Sequence, residues 1–394
     1  MRISIVGDIM CEKPLQSEFR RWRKIDDKDI VYDIKQCYGS DFVIGNLETV
    51  FAGKKAKYTQ DIYSFNTPDA FCKLIKNASI DCVTTANNHC LDRDIPGLKR
   101  TLRILDEHDI LHVGTRSKEE EHPYVDIEIN GEKIRILSYT YGTNYSLNHI
   151  KLEFTDPYVN LLKPNFITEV LPQNVFIRLK EKLLTKELRV KIKKFLRLPY
   201  NFVRIDNIHS GDFNNEYLNK IKSEIKCAKN DADLVIAYLH TGGQFNLYPG
   251  DYSKKICDFF FKQGVKIVMA AHPHVVQRVE RYEDGIVAYS LGNFLISPNS
   301  VYLLHENKPE YSIILHIEFN QKSIKFSFSI AKVSYVKHHT CVRDCYVLYN
   351  SNITQEEKEK LRDDCKYIYD VVNNCERKEK FEMKKEFFIM ECER

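Results

Sequence analysis

Short apolar runs that end in metal-ligating residue types recur along this chain of 394 residues. The runs at residues 3–6, 42–44, 82–85, 234–239 and 266–269 each suit a buried strand, and each leads into Asp, Glu, Asn or His. Strands of an open α/β sheet place ligand-binding residues at their carboxyl ends. One such ending is commonly accidental, because Asn and Asp also terminate strands as turn residues. Five together predict a functional site on the rim of a sheet.

Helical spacing appears between these runs. Residues 70–76 follow Pro68, and residues 98–107 follow Pro96, a residue suited to the first turn of a helix. Both stretches repeat apolar side chains at the spacing of one helix face. The first half of the chain is therefore predicted to alternate strand and helix.

The later apolar segments predict further strands. The pair Asn130-Gly131 joins two alternating segments, which is a strong hairpin signal. Residues 311–319 and 323–330 alternate in period two around a polar turn and predict a second antiparallel hairpin. Residues 286–294 predict one more strand, ending at Gly292-Asn293. Together these elements predict an α/β fold with mixed sheets, parallel near the site and antiparallel outside it.

Two stretches depart from this rhythm. Residues 141–230 are rich in Asn, Pro and Lys and predict a helical insertion. Beyond residue 335 the segment Thr354-Gln-Glu-Glu357 is a capping box that opens a helix to about residue 372. We interpret residues 336–394 as a C-terminal helical appendage without chemistry, and residues 1–335 as the domain that carries the site.

The insertion contains a strongly basic segment. Arg178–Arg197 holds nine Lys or Arg residues, with apolar residues at near-helical spacing. A basic amphipathic helix of this kind has three interpretations: a solvated helix packed on the rim, a cover over an anionic substrate, or a peripheral contact with a membrane surface.

Composition and charge restrict the class of protein. A hydrophobic content of 43% is ample for a core, and a net charge of +4 points to no nucleic-acid partner. The first strand begins at Ile3, which leaves no room for the apolar region of roughly 7–15 residues in a signal peptide. No run of about 18 apolar residues predicts a transmembrane segment. We therefore expect a cytoplasmic protein.

Twelve cysteines are dispersed through the chain, and no Cys-x-x-Cys pair occurs. We expect reduced, mostly buried thiols that act as small hydrophobic side chains. The alternative is a zinc site built on Cys341-x-x-x-Cys345.

The strand-end residues themselves indicate a metal centre. The candidate ligands are Asp8, Glu48, Asn88, His240, His272 and His274. Carboxylate, amide oxygen and imidazole suit Mn²⁺, Zn²⁺ or Fe²⁺ better than ions that prefer thiolates. Two such ions that share a carboxylate activate water and clamp the oxygens of an attacked phosphorus or carbonyl centre. His89 is a candidate proton donor to a leaving group, with Asp92 to orient it, and the alternative is a hydrogen-bonded turn histidine.

Several of these segments together resemble the CapA family of capsule and poly-γ-glutamate biosynthesis proteins, within the calcineurin-like metallophosphoesterase superfamily. The resemblance covers roughly residues 1–335, and the segments that carry it are Gly7-Asp8, Gly45-Asn46-Leu47-Glu48-Thr49, Ala86-Asn87-Asn88-His89 with Asp92, His240-x-Gly242, His272-Pro273-His274-Val275-Val276-Gln277 and Tyr289-Ser290-Leu291-Gly292-Asn293-Phe294.

The resemblance implies a four-layer α/β/β/α sandwich of the metallophosphoesterase type, with a dinuclear metal site between the central sheets. By the same resemblance Asp8 and Glu48 are carboxylate ligands, with Glu48 bridging, and His89 is the catalytic acid. The other ligands implied are Asn88, His240, His272 and His274. One departure is that Met10 stands where superfamily phosphoesterases usually carry a histidine.

Three classes of function remain open on the sequence. The first is a metal-dependent hydrolase that uses a metal-activated water on an anionic phosphoester or γ-glutamyl-type amide, either a small molecule or a polymer. The second is a non-hydrolytic partner in the synthesis or binding of an anionic polymer such as poly-γ-glutamate or capsule polysaccharide. The third is a degenerate scaffold whose rim histidines are structural.

Overall fold

A computed structural model describes residues 1–22, 31–60, 63–166, 188, 192, 206–320, 322–336, 339–375 and 381–393. Within them the strands are β1 Arg2–Ile9, β2 Phe42–Leu47, β3 Cys82–Thr84, β4 Leu111–Val113, β5 Tyr124–Ile129, β6 Glu132–Thr140, β7 Leu234–His240, β8 Ile267–Ala271, β9 Val279–Tyr282, β10 Gly285–Ala288, β11 Asn293–Leu295, β12 Tyr311–Phe319, β13 Ser323–Val336, β14 His339–Asp344 and β15 Phe387–Glu393.

The helices lie mainly between the parallel strands and after the last hairpin. In chain order they are α1 Lys13–Trp22, α2 Ile34–Tyr38, α3 Ala70–Asn77, α4 Asp94–Asp106, α5 Tyr145–Asn148, α6 Glu216–Asp231, α7 Asp251–Lys262, α8 Cys345–Tyr349 and α9 Gln355–Asn373. Two short 3₁₀ helices span Lys54–Ala56 and Val301–Leu304.

The strands form a nine-stranded and a six-stranded sheet. The larger sheet has the order β14-β13-β12-β1-β2-β3-β4, with β11 beside β1 and β15 beside β13. The smaller sheet has the order β5-β6-β7-β8-β10-β9. Strands β1 to β4 are parallel, as are β6, β7, β8 and β10, whereas β5 and β13 add antiparallel neighbours. The predicted mixed α/β arrangement is confirmed.

The two predicted hairpins are present. Asn130 and Gly131 have φ of 54° and 81°, and they join Ile129 to its cross-strand partner Glu132. Two positive φ values are what a two-residue type I′ turn requires, which is why Asn-Gly is favoured there. Strands β12 and β13 pair from Phe319↔Ile324 outwards.

Three apolar clusters separate four layers. The middle cluster holds side chains of both sheets, such as Ile5 and Ile44 from the larger sheet and Ile236 and Met269 from the smaller one. A second cluster packs α3 and α4 on the outer face of the larger sheet, and a third packs α6 and α7 on the outer face of the smaller sheet. Because each sheet is covered on both faces, its parallel strands are apolar throughout rather than alternating. The four-layer α/β/β/α sandwich is confirmed.

The strand predicted over residues 286–294 is wrong in one respect, because it is two strands. Strand β10 belongs to the smaller sheet, and β11 belongs to the larger sheet beside β1. Both halves are fully buried, so the apolar run gives no sign of the crossing between sheets. The crossing carries Asn293 to the neighbourhood of Asp8.

The C-terminal segment is not a purely helical appendage, and that prediction is wrong at β14 and β15. Both strands pair with β13 in the larger sheet. The capping box at Thr354 and Glu357 is present, and α9 buries Leu361 and Ile368 in the apolar cluster between the sheets. The apolar run Phe387-Phe-Ile-Met390 of β15 is short and lies between charged residues, so it gives only a weak strand signal.

The predicted basic helix at Arg178–Arg197 lies outside the described residues, apart from Leu188 and Ile192, so its three interpretations stay predictions.

The helices that the structure describes include none with the length and apolar character needed to span a membrane. The twelve cysteines are unpaired, and nine of them are buried. The cytoplasmic location also remains a prediction.

A buried carboxyl lies just after β1. Glu12 is 2% exposed, and its Oε1 accepts a hydrogen bond of 2.9 Å from the amide of Ser297. Its Oε2 has no hydrogen-bond partner among the described residues. Burial, reinforced by the nearby charge of Glu18, raises the pKa of Glu12 from 4.5 to about 8.

Replacing Glu12 with Gln should therefore change the pH dependence of stability. Between pH 4.5 and 8 the folded state holds a proton on Glu12 that the unfolded state releases. The free energy of unfolding of the wild type should thus fall as pH rises, by at most about 1.4 kcal/mol per pH unit from this group. Urea denaturation should show Glu12→Gln gaining stability over the wild type at pH 8 but not at pH 4.5. The exposed Glu283→Gln is the control, and equal pH slopes for Glu12→Gln and wild type would contradict the assignment.

Candidate metal centre

The carboxyl ends of five strands meet at one edge of the sandwich. Asp8 comes from β1, Glu48 follows β2, and Asn88 and His89 follow β3 in the larger sheet. His240 ends β7, and His272 and His274 follow β8 in the smaller sheet. All seven side chains are buried. Each sheet therefore supplies part of one polar cluster, and the two sets of side chains face each other.

Asp8 is placed by a close approach of β1 to β11. A Cβ on Gly7 would lie 1.9 Å from the carbonyl oxygen of Gly292, so glycine is required there. The amide of Asp8 donates to the same carbonyl over 2.9 Å. One carboxylate oxygen of Asp8 accepts from Asn46 Nδ2 at 2.8 Å. The other has no hydrogen-bond partner among the residues described and lies 3.2 Å from His274 Nδ1.

The hydrogen bonds of Asn293 determine which nitrogen of His274 is free. Asn293 Nδ2 donates to the carbonyl oxygens of His274 and Pro309, each at 3.0 Å. Its Oδ1 must then accept from His274 Nδ1, at 3.1 Å. With its proton on Nδ1, the ring leaves a lone pair on Nε2. That Nε2 is buried, has no hydrogen-bond partner in the part of the chain that the structure describes, and lies 3.7 Å from Glu48 Oε1.

Glu48 lies at the centre of the cluster. Both of its carboxylate oxygens are buried without a hydrogen-bond partner among the described residues. Three ring nitrogens surround Oε1, namely His240 Nε2 at 3.6 Å, His274 Nε2 at 3.7 Å and His89 Nε2 at 3.9 Å. Burial, followed by the charges of Asp8 and Asp92, raises the pKa of Glu48 well above its usual range.

His240 and His272 form the other side of the cluster. His240 Nε2 lies 2.7 Å from Asn88 Oδ1 and 3.1 Å from His272 Nδ1. The remaining nitrogen of His272 is 3.2 Å from the hydroxyl of Tyr141, which follows β6. Burial, and then the neighbouring histidines, lowers the pKa of both His240 and His272 well below the ordinary value. Both rings are thus neutral imidazoles, the form that binds a metal.

The loop after β8 holds its two histidines in an unusual conformation. His272 and His274 have φ of 104° and 59° on either side of Pro273. Positive φ in residues other than glycine costs on the order of 1–3 kcal/mol and concentrates at functional sites. The strain turns both rings into the same cluster.

His89 and Asp92 form a second polar pair beside the cluster. His89 Nδ1 lies 2.6 Å from Asp92 Oδ2, which also accepts from the amide of Phe65 at 2.5 Å. The Phe65 ring packs on the His89 ring with centroids 4.3 Å apart. Because Asp92 is an acceptor, the proton stays on Nδ1 and the Nε2 atom faces Glu48.

Two groups of residues could each hold a metal ion, and they share Glu48. One group is Glu48, His240 and His272, and the other is Asp8, Glu48 and His274, with ligand atoms within 4.8 Å of one another in each. Within this cluster, four buried atoms have no hydrogen-bond partner among the described residues, and a cation would satisfy them: a carboxylate oxygen of Asp8, both oxygens of Glu48 and Nε2 of His274. Buried polar atoms are otherwise almost always paired. The donor set therefore fits one or two divalent ions.

All eight residues singled out from the sequence come together here. Met10 is not among them, because it packs into the apolar cluster on the helix-covered face. Among the described residues, the groups that could hold a metal contain no cysteine, and Cys341 and Cys345 are buried elsewhere, in β14 and α8.

Sequence reasoning gave no role to four residues that hold these side chains in place: Asn46, Tyr141, Asn144 and Asn293. Asn46 and Asn293 could have been found, because each comes at the end of an apolar run, as the candidate ligands do. Tyr141 and Asn144 carried no recognisable signal, since they lie in the stretch assigned to the insertion.

Two similar curated proteins are named as capsule or PGA biosynthesis proteins. The chain is 25% identical over 303 residues to the capsule biosynthesis protein CapA of Bacillus anthracis, which covers 75% of this chain and 59% of the relative. It is 23% identical over 295 residues to the PGA biosynthesis protein CapA of Bacillus subtilis (strain 168), covering 74% of this chain and 62% of the relative. The chain thus spans about three fifths of the length of these relatives.

A solved structure, of a hypothetical protein from Thermus thermophilus, is similar with 13% identity and a TM-score of 0.38, over 87% of this chain and 99% of that one.

The family model described as bacterial capsule synthesis protein PGA_cap matches residues 2–298, which include every residue of the cluster. This match covers well over half of the sequence, and the chain belongs to the PGA_cap family of bacterial capsule synthesis proteins, within the metallophosphoesterase-like superfamily.

Proposed function

We propose that this protein is a divalent-metal-dependent hydrolase of an anionic phosphoester or γ-glutamyl-type amide. The observation that carries the proposal is the Glu48 carboxylate, which is buried between two groups of ligands while neither of its oxygens has a hydrogen-bond partner among the described residues. The ligands would be Asp8, Glu48, Asn88, His240, His272 and His274.

Three acidic side chains lie buried in and beside the cluster. Asp8, Glu48 and Asp92 lie close enough for the charges of Asp8 and Asp92 to raise the pKa of Glu48. Burying an uncompensated carboxylate is costly, and an acid then either takes up a proton or pairs with a cation. A divalent cation offsets this repulsion and also satisfies the unpaired atoms of Asp8 and His274.

The residues divide into two ligand sets and a proton donor. Asp8 and His274 would serve one position, and His240, His272 and Asn88 the other, with Glu48 common to both. A divalent ion at such a site supplies Lewis-acid polarisation of a phosphoryl or carbonyl oxygen and lowers the pKa of bound water. Asn293 keeps the proton of His274 on Nδ1, and Tyr141 contacts the outer nitrogen of His272. Oxygen and imidazole ligands of this kind suit Mn²⁺, Zn²⁺ or Fe²⁺.

His89 would act as the general acid. Asp92 accepts the Nδ1 proton, so the proton donated on the side of the cluster would be a second one, carried on Nε2 in the imidazolium form. This division of roles, in which a carboxylate fixes one nitrogen and the other transfers the proton, is the one used in histidine catalysis generally. The position of Nε2, 3.9 Å from Glu48 Oε1, would put that proton beside a substrate bound at the cluster.

The substrate class is supported by the relatives. They are described as capsule and PGA biosynthesis proteins. Poly-γ-glutamate, the polymer that the sequence resemblance suggests, is a polyanion joined by γ-amide bonds. The same descriptions favour a second candidate, in which the protein binds an anionic polymer or takes part in its synthesis without hydrolysing it.

If these residues hold the metal, variants of single ligands should lose different amounts of bound metal. Removing Glu48 with Glu48→Gln should weaken both positions, because its carboxylate is common to both groups. Either His272→Ala or His274→Ala should remove one position and leave the other, and the double variant should retain no stoichiometric metal. Elemental analysis after dialysis against Mn²⁺ measures these contents.

The variant His112→Ala is the control for histidine removal, since that partly exposed ring pairs with Asp106 away from the cluster. Circular dichroism of each variant shows whether the fold is kept. Wild-type metal content in the folded double variant His272→Ala/His274→Ala would rule out this cluster as the metal site.

Turnover separates the two candidate functions. Wild-type protein with Mn²⁺ should hydrolyse a phosphoester or a γ-glutamyl peptide, and Glu48→Gln should not. Release of phosphate or glutamate is measured against a blank with chelator. Tight binding of poly-γ-glutamate without release of either product from any substrate in the screen would favour the non-hydrolytic function.

If His89 is the general acid, the loss of turnover in a His89 variant should depend on the leaving group of the substrate. His89→Asn should lower turnover strongly for an alkyl phosphoester, which needs protonation, and less for nitrophenyl phosphate. The difference between the two substrates should be at most roughly 10²–10⁴-fold, the usual contribution of general acid catalysis. Metal content should stay near that of the wild type. Equal losses on both substrates, or loss of metal, would show that His89 is a ligand or a structural residue.

A further inference from the structure

Asn144 contacts both the proposed ligand Asn88 and the proposed acid His89. Asn88 Nδ2 donates to Asn144 Oδ1 over 3.1 Å, and Asn144 Nδ2 lies 3.3 Å from His89 Nδ1. We propose that Asn144 is a positioning residue that fixes which end of the Asn88 amide faces the metal centre. This inference rests on the proposed function, and it adds a residue from outside the strand-end motifs.

The two ends of an asparagine amide have opposite chemistry. The oxygen can bind a cation or accept a hydrogen bond, whereas the NH₂ group can only donate. Because the NH₂ group of Asn88 is engaged by Asn144, its Oδ1 lies 2.7 Å from His240 Nε2, among the ligand atoms. A flipped amide would present N–H bonds to the cation position. Asn144 Oδ1 thus selects the ligating orientation.

The backbone around Asn144 holds the residue rigidly. Asn144 has φ 53° and ψ 38°, a left-handed conformation that asparagine tolerates better than most residues. Its carbonyl accepts from the amide of Leu147 at 2.8 Å. The preceding Thr143 is fully buried and accepts from Asn165 Nδ2 at 2.7 Å, while its carbonyl accepts from Asn148 Nδ2 at 2.6 Å. The side chain of Asn144 is therefore presented from a fixed loop.

The contact with His89 is the weaker of the two. His89 Nδ1 donates to Asp92 at 2.6 Å, and the Asn144 group that faces it at 3.3 Å is also a donor. Two donors do not form a hydrogen bond, so Asp92 alone orients His89. The effect of Asn144 should consequently appear in metal affinity rather than in the dependence on the leaving group.

The test compares Asn144→Gly with Asn144→Asp. Glycine accepts the left-handed backbone and removes the acceptor, whereas aspartate keeps an acceptor oxygen for Asn88 Nδ2. Mn²⁺ affinity is measured in competition with a chromophoric chelator. We expect Asn144→Gly to bind Mn²⁺ about 10–100-fold more weakly, the usual effect of losing a residue that orients a ligand, and Asn144→Asp to bind at least as tightly as the wild type.

Asn130→Gly is the matched control, because Asn130 has φ 54° and lies in an exposed hairpin turn. Its Mn²⁺ affinity should equal that of the wild type. If Asn144→Gly does not fold, as judged by its thermal unfolding, Asn144→Asp carries the test alone, because aspartate tolerates the left-handed backbone and keeps the acceptor.

Unchanged affinity in the folded glycine variant would overturn this inference alone, as would Mn²⁺ binding by Asn144→Asp that is markedly weaker than that of the wild type. Absence of Mn²⁺ binding by the wild type would overturn the proposed function, and this inference with it. The two failures are therefore distinguishable.

Discussion

The buried carboxylate of Glu48 imposes the main constraint on this structure. It lies among three imidazoles and near two other acids, and neither of its oxygens has a hydrogen-bond partner among the described residues. An isolated carboxylate in such surroundings is held as a neutral acid or paired with a cation. The neutral histidines, the unpaired atom of Asp8 and the free nitrogen of His274 all favour a cation. The family's capsule chemistry is proposed to depend on that centre.

The sandwich matters because it brings together proposed ligands that neither sheet holds alone. The larger sheet presents mostly carboxylates and amides, and the smaller sheet presents imidazoles. The apolar cluster between the sheets fixes their separation, and close packing there resists displacement of one sheet against the other. Gly7 permits the tight approach of β1 to β11, which places Asp8 beside His274. The packing between the two sheets therefore determines the distances within the polar cluster.

A shell of amides and one hydroxyl surrounds the cluster. Asn46, Asn144, Asn293 and Tyr141 each lie within hydrogen-bonding distance of a proposed ligand. Outer partners of this kind commonly matter for metal affinity almost as much as the ligands themselves. Two of them follow β6, a strand that contributes no proposed ligand, so the centre involves more of the smaller sheet than its ligands indicate.

The sequence by itself determined the alternation of strands and helices, the Asn130-Gly131 turn and the capping box at Thr354, and it singled out the eight candidate residues of the proposed site. These follow from local rules: the period of apolar residues, backbone preferences of single residues, and polar residues at strand ends. Only the tertiary structure decided that residues 286–294 divide between two sheets, that β14 and β15 complete the larger sheet, and that Asn144 and Tyr141 support the centre. Those features depend on contacts between residues far apart in the chain, and local periodicity carries no information about such partners.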